Sequence, residues 1–224
     1  QMTATIKIPL EEGNDEELVT VTYGPQLTIN PTQSLETTNS TGITNVVMTR
    51  TFKAGWNTYC MPFDYNVADL GTDIKAQEFI SANDNGLYFA AISDGVLKAN
   101  NPYLVFFPTE TTIGTTENPI FFATTINSYN PTPITFGAYT FSGNYTAGMS
   151  MDGKYGVATV EGVQKLRIGG ANATLPAGCA YFTTNNNANG MLIRLDGGNV
   201  TGILDVNTGV VVENAAVYNL QGVK

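Results

Sequence analysis

The chain has 224 residues, of which 42% are hydrophobic and 13% are charged, and its formal net charge at pH 7 is −9. This length is typical of one large β domain or two small domains, and a core of that size forms without disulfides or metals. The excess of carboxylates repels a phosphate backbone, so a nucleic-acid partner is not expected. The absence of histidine excludes a Ser-His-Asp triad, a Cys-His dyad and every histidine-ligated metal site.

The composition favours short strands joined by tight turns. Threonine occurs 31 times, and asparagine and glycine 23 times each. Threonine suits a half-buried pleated surface, whereas asparagine and glycine suit turns. Strong helix formers are sparse, and residues 66–80 are the one stretch that predicts a short helix. The sequence therefore predicts an all-β, β-sandwich-like fold with at most that one helix.

Three regions are predicted along the chain. They are N-terminal strands and polar loops over residues 1–45, a main β domain over 46–195, and a C-terminal appendage over 196–224. No apolar run reaches the roughly 18 residues that a membrane-spanning helix needs, so no transmembrane segment is predicted.

Two hairpins are predicted in the main domain. Residues 81–86 (Ser-Ala-Asn-Asp-Asn-Gly) read as a tight turn. Ser93-Asp94-Gly95 separates strand-like runs at 87–92 and 96–99. Asp-Gly between two such runs is a strong hairpin signal, so these two strands are predicted to pair.

One short pattern occurs twice. Leu97-x-Ala99-x-x-x-Tyr103-Leu104 is followed 78 residues later by Leu175-x-Ala177-x-x-x-Tyr181-Phe182. The repeat predicts two similar β units, at residues 46–108 and 134–184, each burying one face against the other. Tyr103 and Tyr181 would then both point into the core. The alternative is chance similarity between two turn-then-strand segments.

One stretch resembles a known family. Residues 53–63 read Lys-Ala-Gly-Trp-Asn-Thr-Tyr-Cys-Met-Pro-Phe. This is similar to a Gly-Trp-Asn-Thr-x-Cys-x-Pro-Phe motif of secreted and cell-surface β-rich proteins of gut Bacteroidales, which are largely uncharacterised and often called adhesion proteins. Three further stretches fit the same family: Asn-Pro-Tyr-Leu-Val at 101–105, Leu-Pro-Ala-Gly-Cys-Ala-Tyr-Phe at 175–182, and a tail at 196–203 and 217–222. The resemblance covers the chain from about residue 50, and it implies export and a β-rich fold but no catalytic residues.

Aromatic residues are the candidates for ligand binding. Tyr139, Tyr145 and Tyr155 lie in polar sequence contexts and are predicted to be exposed, where tyrosine suits contacts with glycans or proteins. Trp56, the single tryptophan, is predicted to be a core anchor, with a sugar-stacking platform as the alternative reading.

The groups capable of chemistry are few. Cys60 and Cys179 lie in apolar runs and are predicted to be buried; export would permit a disulfide, and the sequence leaves open whether they are bonded. Carboxylates between residues 64 and 94 could supply a glycosidase pair, but most lie at turns, where aspartate caps backbone amides. No metal site or cofactor is predicted.

The sequence therefore predicts a non-catalytic exported module, at the cell surface or extracellular, for adhesion or for interaction with a glycan or a host or surface protein. The alternatives are a carbohydrate-binding module of a glycan-utilisation system and, less favoured, a glycosidase with a carboxylate pair.

Overall fold

The structure is a computed structural model, which describes residues 2–9, 16–23, 26–30, 32–35, 42–115 and 120–196. It is all-β, with 55% of residues in strands, and this confirms the predicted fold class. The described residues include a short 3-10 helix at Val67–Leu70, inside the stretch predicted to be helical. No helix of the described residues is long and apolar enough to cross a membrane. The appendage predicted for 196–224 lies outside the described residues, apart from Asp196.

Twenty-one strands are described, and their bounds in chain order are as follows. They are β1 (Met2–Pro9), β2 (Glu16–Tyr23), β3 (Gln26–Ile29), β4 (Gly42–Met48), β5 (Arg50–Phe52), β6 (Gly55–Tyr59), β7 (Tyr65–Asn66), β8 (Lys75–Asn83), β9 (Gly86–Ala91), β10 (Val96–Leu97), β11 (Tyr103–Phe107), β12 (Thr111–Ile113), β13 (Ile120–Ile126), β14 (Ile134–Phe136), β15 (Tyr139–Asn144), β16 (Met149–Ser150), β17 (Tyr155–Val160), β18 (Val163–Ile168), β19 (Thr174–Leu175), β20 (Cys179–Thr184) and β21 (Ile193–Arg194).

Three larger sheets organise the chain. The amino-terminal sheet has the order β13-β4-β3, the first five-stranded sheet β21-β9-β8-β11-β6, and the second five-stranded sheet β14-β15-β20-β17-β18. The strands β1 and β2 form a separate antiparallel hairpin, and β5 pairs with β12. The first five-stranded sheet buries both of its faces, because Tyr103 and Val105 of β11 belong to one core and Leu104 to another.

The core between the two five-stranded sheets, here called the central core, is rich in phenylalanine. Its largest fully buried side chains are Phe89, Phe141 and Phe182, and Phe141 stacks on Phe182 with ring centroids 4.4 Å apart. The two sheets also touch along their sides. The amide of Cys60, just after β6, donates to the carbonyl of Gly178 at 3.0 Å, and Lys165 of β18 forms a bridge with Leu192 beside β21.

The two five-stranded sheets repeat one strand order. Four neighbouring strands of the first run β9-β8-β11-β6, and four of the second run β18-β17-β20-β15. Each set has a two-stranded companion, β7 with β10 and β16 with β19. When β6 to β11 are matched in order with β15 to β20, each strand has the same neighbours in both sets. These strands lie within the two predicted units, 46–108 and 134–184.

The repeated sequence pattern marks equivalent places in the two sheets. Leu97 ends β10 and Leu175 ends β19. The strand register agrees as well. Leu104 lies opposite Gln77, and the residues 78 positions later, Phe182 and Tyr155, also lie opposite each other. The two sheets thus share the strand neighbours that two similar β units require.

Two tyrosines of the repeat differ in burial, contrary to the prediction. Tyr103 is buried, whereas Tyr181 is only half-buried. Both side chains point away from the central core, because their neighbours Leu104 and Phe182 point into it. The first sheet is a middle layer with a second core behind it, and Tyr103 is buried there. Tyr181 does not belong to either buried core, so its prediction as a core residue is wrong.

One hairpin prediction is confirmed and the other is wrong. Strands β8 and β9 pair across the turn between Asn83 and Gly86. The turn at Ser93-Asp94-Gly95 also forms, since Asp94 Oδ1 accepts the amide of Val96 at 3.0 Å. However, β10 pairs with β7 and not with β9, because the chain leaves the first sheet at this turn.

Candidate ligand-binding surface

The three tyrosines proposed as exposed ligand contacts are buried, so that prediction of exposure is wrong. Tyr139, Tyr145 and Tyr155 are 6%, 5% and 5% exposed. The Tyr145 hydroxyl donates to Asn100 Oδ1 at 2.9 Å, and the Tyr155 hydroxyl lies 3.3 Å from the carbonyl of Asn186. The hydroxyls of Tyr145 and Tyr155 each bond a residue of a neighbouring loop. Polar neighbours in the sequence here reflect turns that these tyrosines anchor.

The two cysteines are free thiols in different surroundings. Cys60 is fully buried, as predicted, whereas Cys179 is half-buried, so its prediction as a core residue is wrong. Cys60 Sγ packs against Gly143, on the face of the second sheet that Ala180 shares. Cys179 is the residue before Ala180 and therefore points to the opposite face. This geometry accounts for the absence of a disulfide between them.

The environment of Cys60 makes it unreactive. Burial raises the pKa of its thiol to about 12, and its Sγ lies 3.7 Å from the Tyr145 hydroxyl. Arg50 lies at the same junction, where it donates to the carbonyls of Gly178 at 2.8 Å and Thr58 at 3.2 Å. The guanidinium thus ties the two sheets together through backbone oxygens, which is a structural role.

Two of the carboxylates considered for catalysis, Asp64 and Asp94, cap backbone amides. Asp64 Oδ1 accepts the amide of Ala99 at 2.8 Å, and Asp94 accepts that of Val96. The Lys98 ammonium lies 3.0 Å from Asp94 and 3.9 Å from Asp64. The amide of Val96 and the Lys98 ammonium hold the pKa of Asp94 below its usual value. This environment keeps Asp94 ionised and suits a turn cap, not a general acid, which needs a raised pKa.

A row of partly exposed side chains crosses the first five-stranded sheet. Trp56 of β6 lies opposite Phe106 of β11, and Phe106 lies opposite Lys75 of β8. The two aromatic rings are 5.4 Å apart between centroids, and the Lys75 ammonium lies 5.9 Å from the Phe106 ring. Trp56 and Phe106 are half-buried and Lys75 is exposed. This aromatic row combines apolar ring faces with a charged group at its end.

Hydrogen-bonding groups lie one step along the same face. Gln77 follows Lys75 by two positions in β8 and is 2% exposed. Its Nε2 donates to Asp196 Oδ1 at 2.5 Å, and the Asp196 amide donates back to Gln77 Oε1 at 3.1 Å. This reciprocal pair holds an exposed carboxylate at the end of the sheet that carries the aromatic row.

Sequence reasoning singled out Trp56 but missed its neighbours. It judged Trp56 to be a core anchor, and the ring does pack partly against the central core. Phe106, Lys75 and Gln77 carry no motif, and only the register of three strands brings them beside the tryptophan. A period-2 reading of β8 would have placed Lys75, Gln77 and Phe79 on one face, but not opposite Phe106.

Comparisons of the chain with models of protein families, with curated proteins and with solved structures find no match.

Proposed function

We propose that this protein is a non-catalytic, exported surface module that binds glycans through the aromatic row. The observation that carries the proposal is the placement of Trp56 directly opposite Phe106, with both rings partly exposed. Aromatic side chains combine a large apolar face with low conformational entropy, which suits the apolar faces of sugar rings.

The dimensions of the row suit a short oligosaccharide. Neighbouring strands lie about 4.8 Å apart, so the row from Trp56 to Lys75 extends about 10 Å across three strands. That length is similar to two sugar rings. Lys75 at the end of the row offers a donor for hydroxyl groups, and the exposed Asp196 carboxylate, held by the buried Gln77, offers an acceptor. A few polar groups around an apolar platform are the usual composition of a ligand site.

Two further points support a binding role. The resemblance of residues 53–63 to secreted and surface proteins implies export, where glycans are available, and Trp56 lies inside that motif. Asp196 is the one carboxylate placed beside the row by the hydrogen bonds of the described residues. A glycosidase needs a second carboxylate at a defined distance, so the geometry favours binding over hydrolysis.

The single tryptophan makes the proposal directly testable. Glycans selected on an array are titrated against the purified protein while Trp56 fluorescence is recorded. We expect a change in intensity and a blue shift, because a stacked sugar displaces water from the indole. The Phe106→Ala variant is expected to bind about fivefold more weakly, since a ring contact contributes about 1 kcal/mol.

The matched control is Tyr88→Ala, which removes a half-buried ring from β9, a strand outside the row. Its affinity should equal that of the unmodified protein. Glycan binding that leaves the Trp56 signal unchanged and survives Phe106→Ala would place the site elsewhere. Hydrolysis of aryl glycosides that is lost in Asp196→Asn would show an enzyme instead.

A further inference from the structure

The outer face of the second five-stranded sheet is a separate surface from the aromatic row. Leu166 of β18 points into the central core, so its neighbours Lys165 and Arg167 point outward. Lys165 lies opposite Ala158 and Arg167 opposite Gly156 on β17. Both of these neighbours are small, and the buried Met151 side chain packs on the same face, with its Cε 3.8 Å from an ideal Cβ at Gly156.

A third cation and a ring complete this outer face. The Lys154 ammonium lies 6.0 Å from the centroid of the half-buried Tyr181 ring and donates to the carbonyl of Ser150 at 3.0 Å. The Lys154 carbonyl accepts the amide of Gly169, which places Lys154 beside the end of β18. Tyr181 lies opposite Ser142, which adds a hydroxyl group next to the ring.

Charge is distributed unevenly between the two repeated units. Residues 46–108 contain four cations and six carboxylates, whereas residues 134–184 contain three cations and two carboxylates. The three cations of the second unit are Lys154, Lys165 and Arg167. Among the described residues, Lys165 and Arg167 make no salt bridge. The outer face thus carries three cations in a chain of net charge −9, with the exposed Asp152 bridged to Gly169 just beyond the end of β18.

The equivalent face of the first sheet shows that this polarity is specific to the second unit. There, Tyr103 and Val105 are buried. Their counterparts in β20, Tyr181 and Thr183, are half-buried. In the same sheet β17 lies next to β20, and β18, which carries Arg167, lies next to β17. The second unit therefore presents a polar, cationic surface at the place where the first unit has an apolar one.

We propose that this outer face binds an anionic polysaccharide, one that carries sulfate or carboxylate groups. Lys165 and Arg167 are two residues apart on one strand, so their backbone positions are about 6.8 Å apart. They can therefore contact successive charged groups of an extended chain. Arginine binds such planar or tetrahedral anions through paired donors. The Tyr181 ring and the Ser142 hydroxyl provide neutral contacts for the sugar between the charges.

The test compares dextran sulfate with dextran, which share a backbone and differ in charge. We expect the full chain to bind dextran sulfate and polygalacturonate but not dextran, with affinity falling as salt rises because exposed charges are screened. The double variant Lys165→Gln/Arg167→Gln should lose about tenfold or more in affinity for the anionic chains. The control Lys53→Gln/Lys98→Gln removes two exposed cations of the first unit and should change affinity less than twofold.

Each alternative has a distinct outcome. Equal loss in both double variants would mean that binding follows net charge alone and would overturn the proposed site. Equal or tighter binding of duplex DNA or of phosphatidylglycerol vesicles would show that the face does not select polysaccharides. Thermal unfolding of each variant identifies a loss of binding that is caused by misfolding. In that case the variant Lys165→Met/Arg167→Met, which removes both charges but keeps an unbranched side chain at each position, is measured in its place. The result is independent of the aromatic row, because Phe106→Ala should leave dextran sulfate binding unchanged.

Discussion

Replacement of Gly143 by alanine should destabilise the protein through one defined steric conflict. An ideal Cβ at Gly143 would lie 2.2 Å from Cys60 Sγ, 2.9 Å from Cys60 Cβ and 3.0 Å from Pro131 Cβ. Cys60 is fully buried, so its side chain cannot move into solvent. The backbone of Gly143 does not have a positive φ, so conformational strain does not contribute.

The size of the destabilisation depends on which atoms the new Cβ would meet. Overpacking a filled core typically costs about 1–3 kcal/mol. Rotation of Cys60 can move its sulfur but not its Cβ, so the cost should lie at the upper end of that range. Alanine also restricts the unfolded chain, which stabilises the native state by about 0.4–1 kcal/mol. The net loss should therefore be about 2 kcal/mol, or roughly 4–8 °C in melting temperature for a chain of this size.

Urea and thermal unfolding of five proteins test the reasoning: the unmodified protein, Gly143→Ala, Cys60→Ala, the double variant and a control. Gly143→Ala in a Cys60→Ala background should cost at least about 1 kcal/mol less than in the unmodified protein, because contacting residues couple by about 0.5–3 kcal/mol. The matched control is Gly156→Ala, whose new Cβ would meet only Met151 Cε, at 3.8 Å. If Gly143→Ala were as stable as Gly156→Ala, or if the Cys60→Ala background relieved nothing, the packing argument would be refuted.

Four further outcomes are expected. The Tyr59 hydroxyl is buried without a hydrogen-bond partner among the described residues, so Tyr59→Phe should not lower stability in chemical unfolding. Tyr145→Phe should lower it by about 1–2 kcal/mol, because it leaves Asn100 Oδ1 without its donor. A thiol reagent at pH 8 should label Cys179 but not Cys60 in the folded protein, and mass spectrometry after digestion shows which is modified. Finally, burial raises the pKa of the Cys60 thiol from 9.0 to about 12 in the folded state. Its contribution to stability is therefore present below about pH 9 and lost as pH rises from there towards 12, and Cys60→Ala should reduce this slope in unfolding experiments.

Much of the local structure follows from neighbouring residues. The abundance of threonine, asparagine and glycine, with short apolar runs between turns, predicts the all-β class that the structure has. Turn chemistry is equally local: Asp94 caps the amide of Val96, and Gly95 has a φ of 67°. The repeated pattern at Leu97 and Leu175 also marks equivalent strand ends before any fold is known.

Strand partners and burial depend on residues that are distant in the chain. The Asp94-Gly95 turn forms as predicted, yet β10 pairs with β7, because the burial of Leu97 and Tyr65 in a shared core outweighs the shorter connection to β9. Tyr139 and Tyr155 are buried because the first sheet packs over the second, and no property of their polar neighbours indicates this.

The candidate surfaces also depend partly on composition and partly on tertiary structure. The sequence alone determines that the protein is all-β, acidic, without histidine and with one tryptophan, because these depend only on composition and on local conformational preference. Only the tertiary structure decides that Phe106 and Lys75 lie in a row with Trp56, and that Lys165 and Arg167 share an outward face. A shift of one residue in register would send each of these side chains to the other face, and register is determined by packing between sheets.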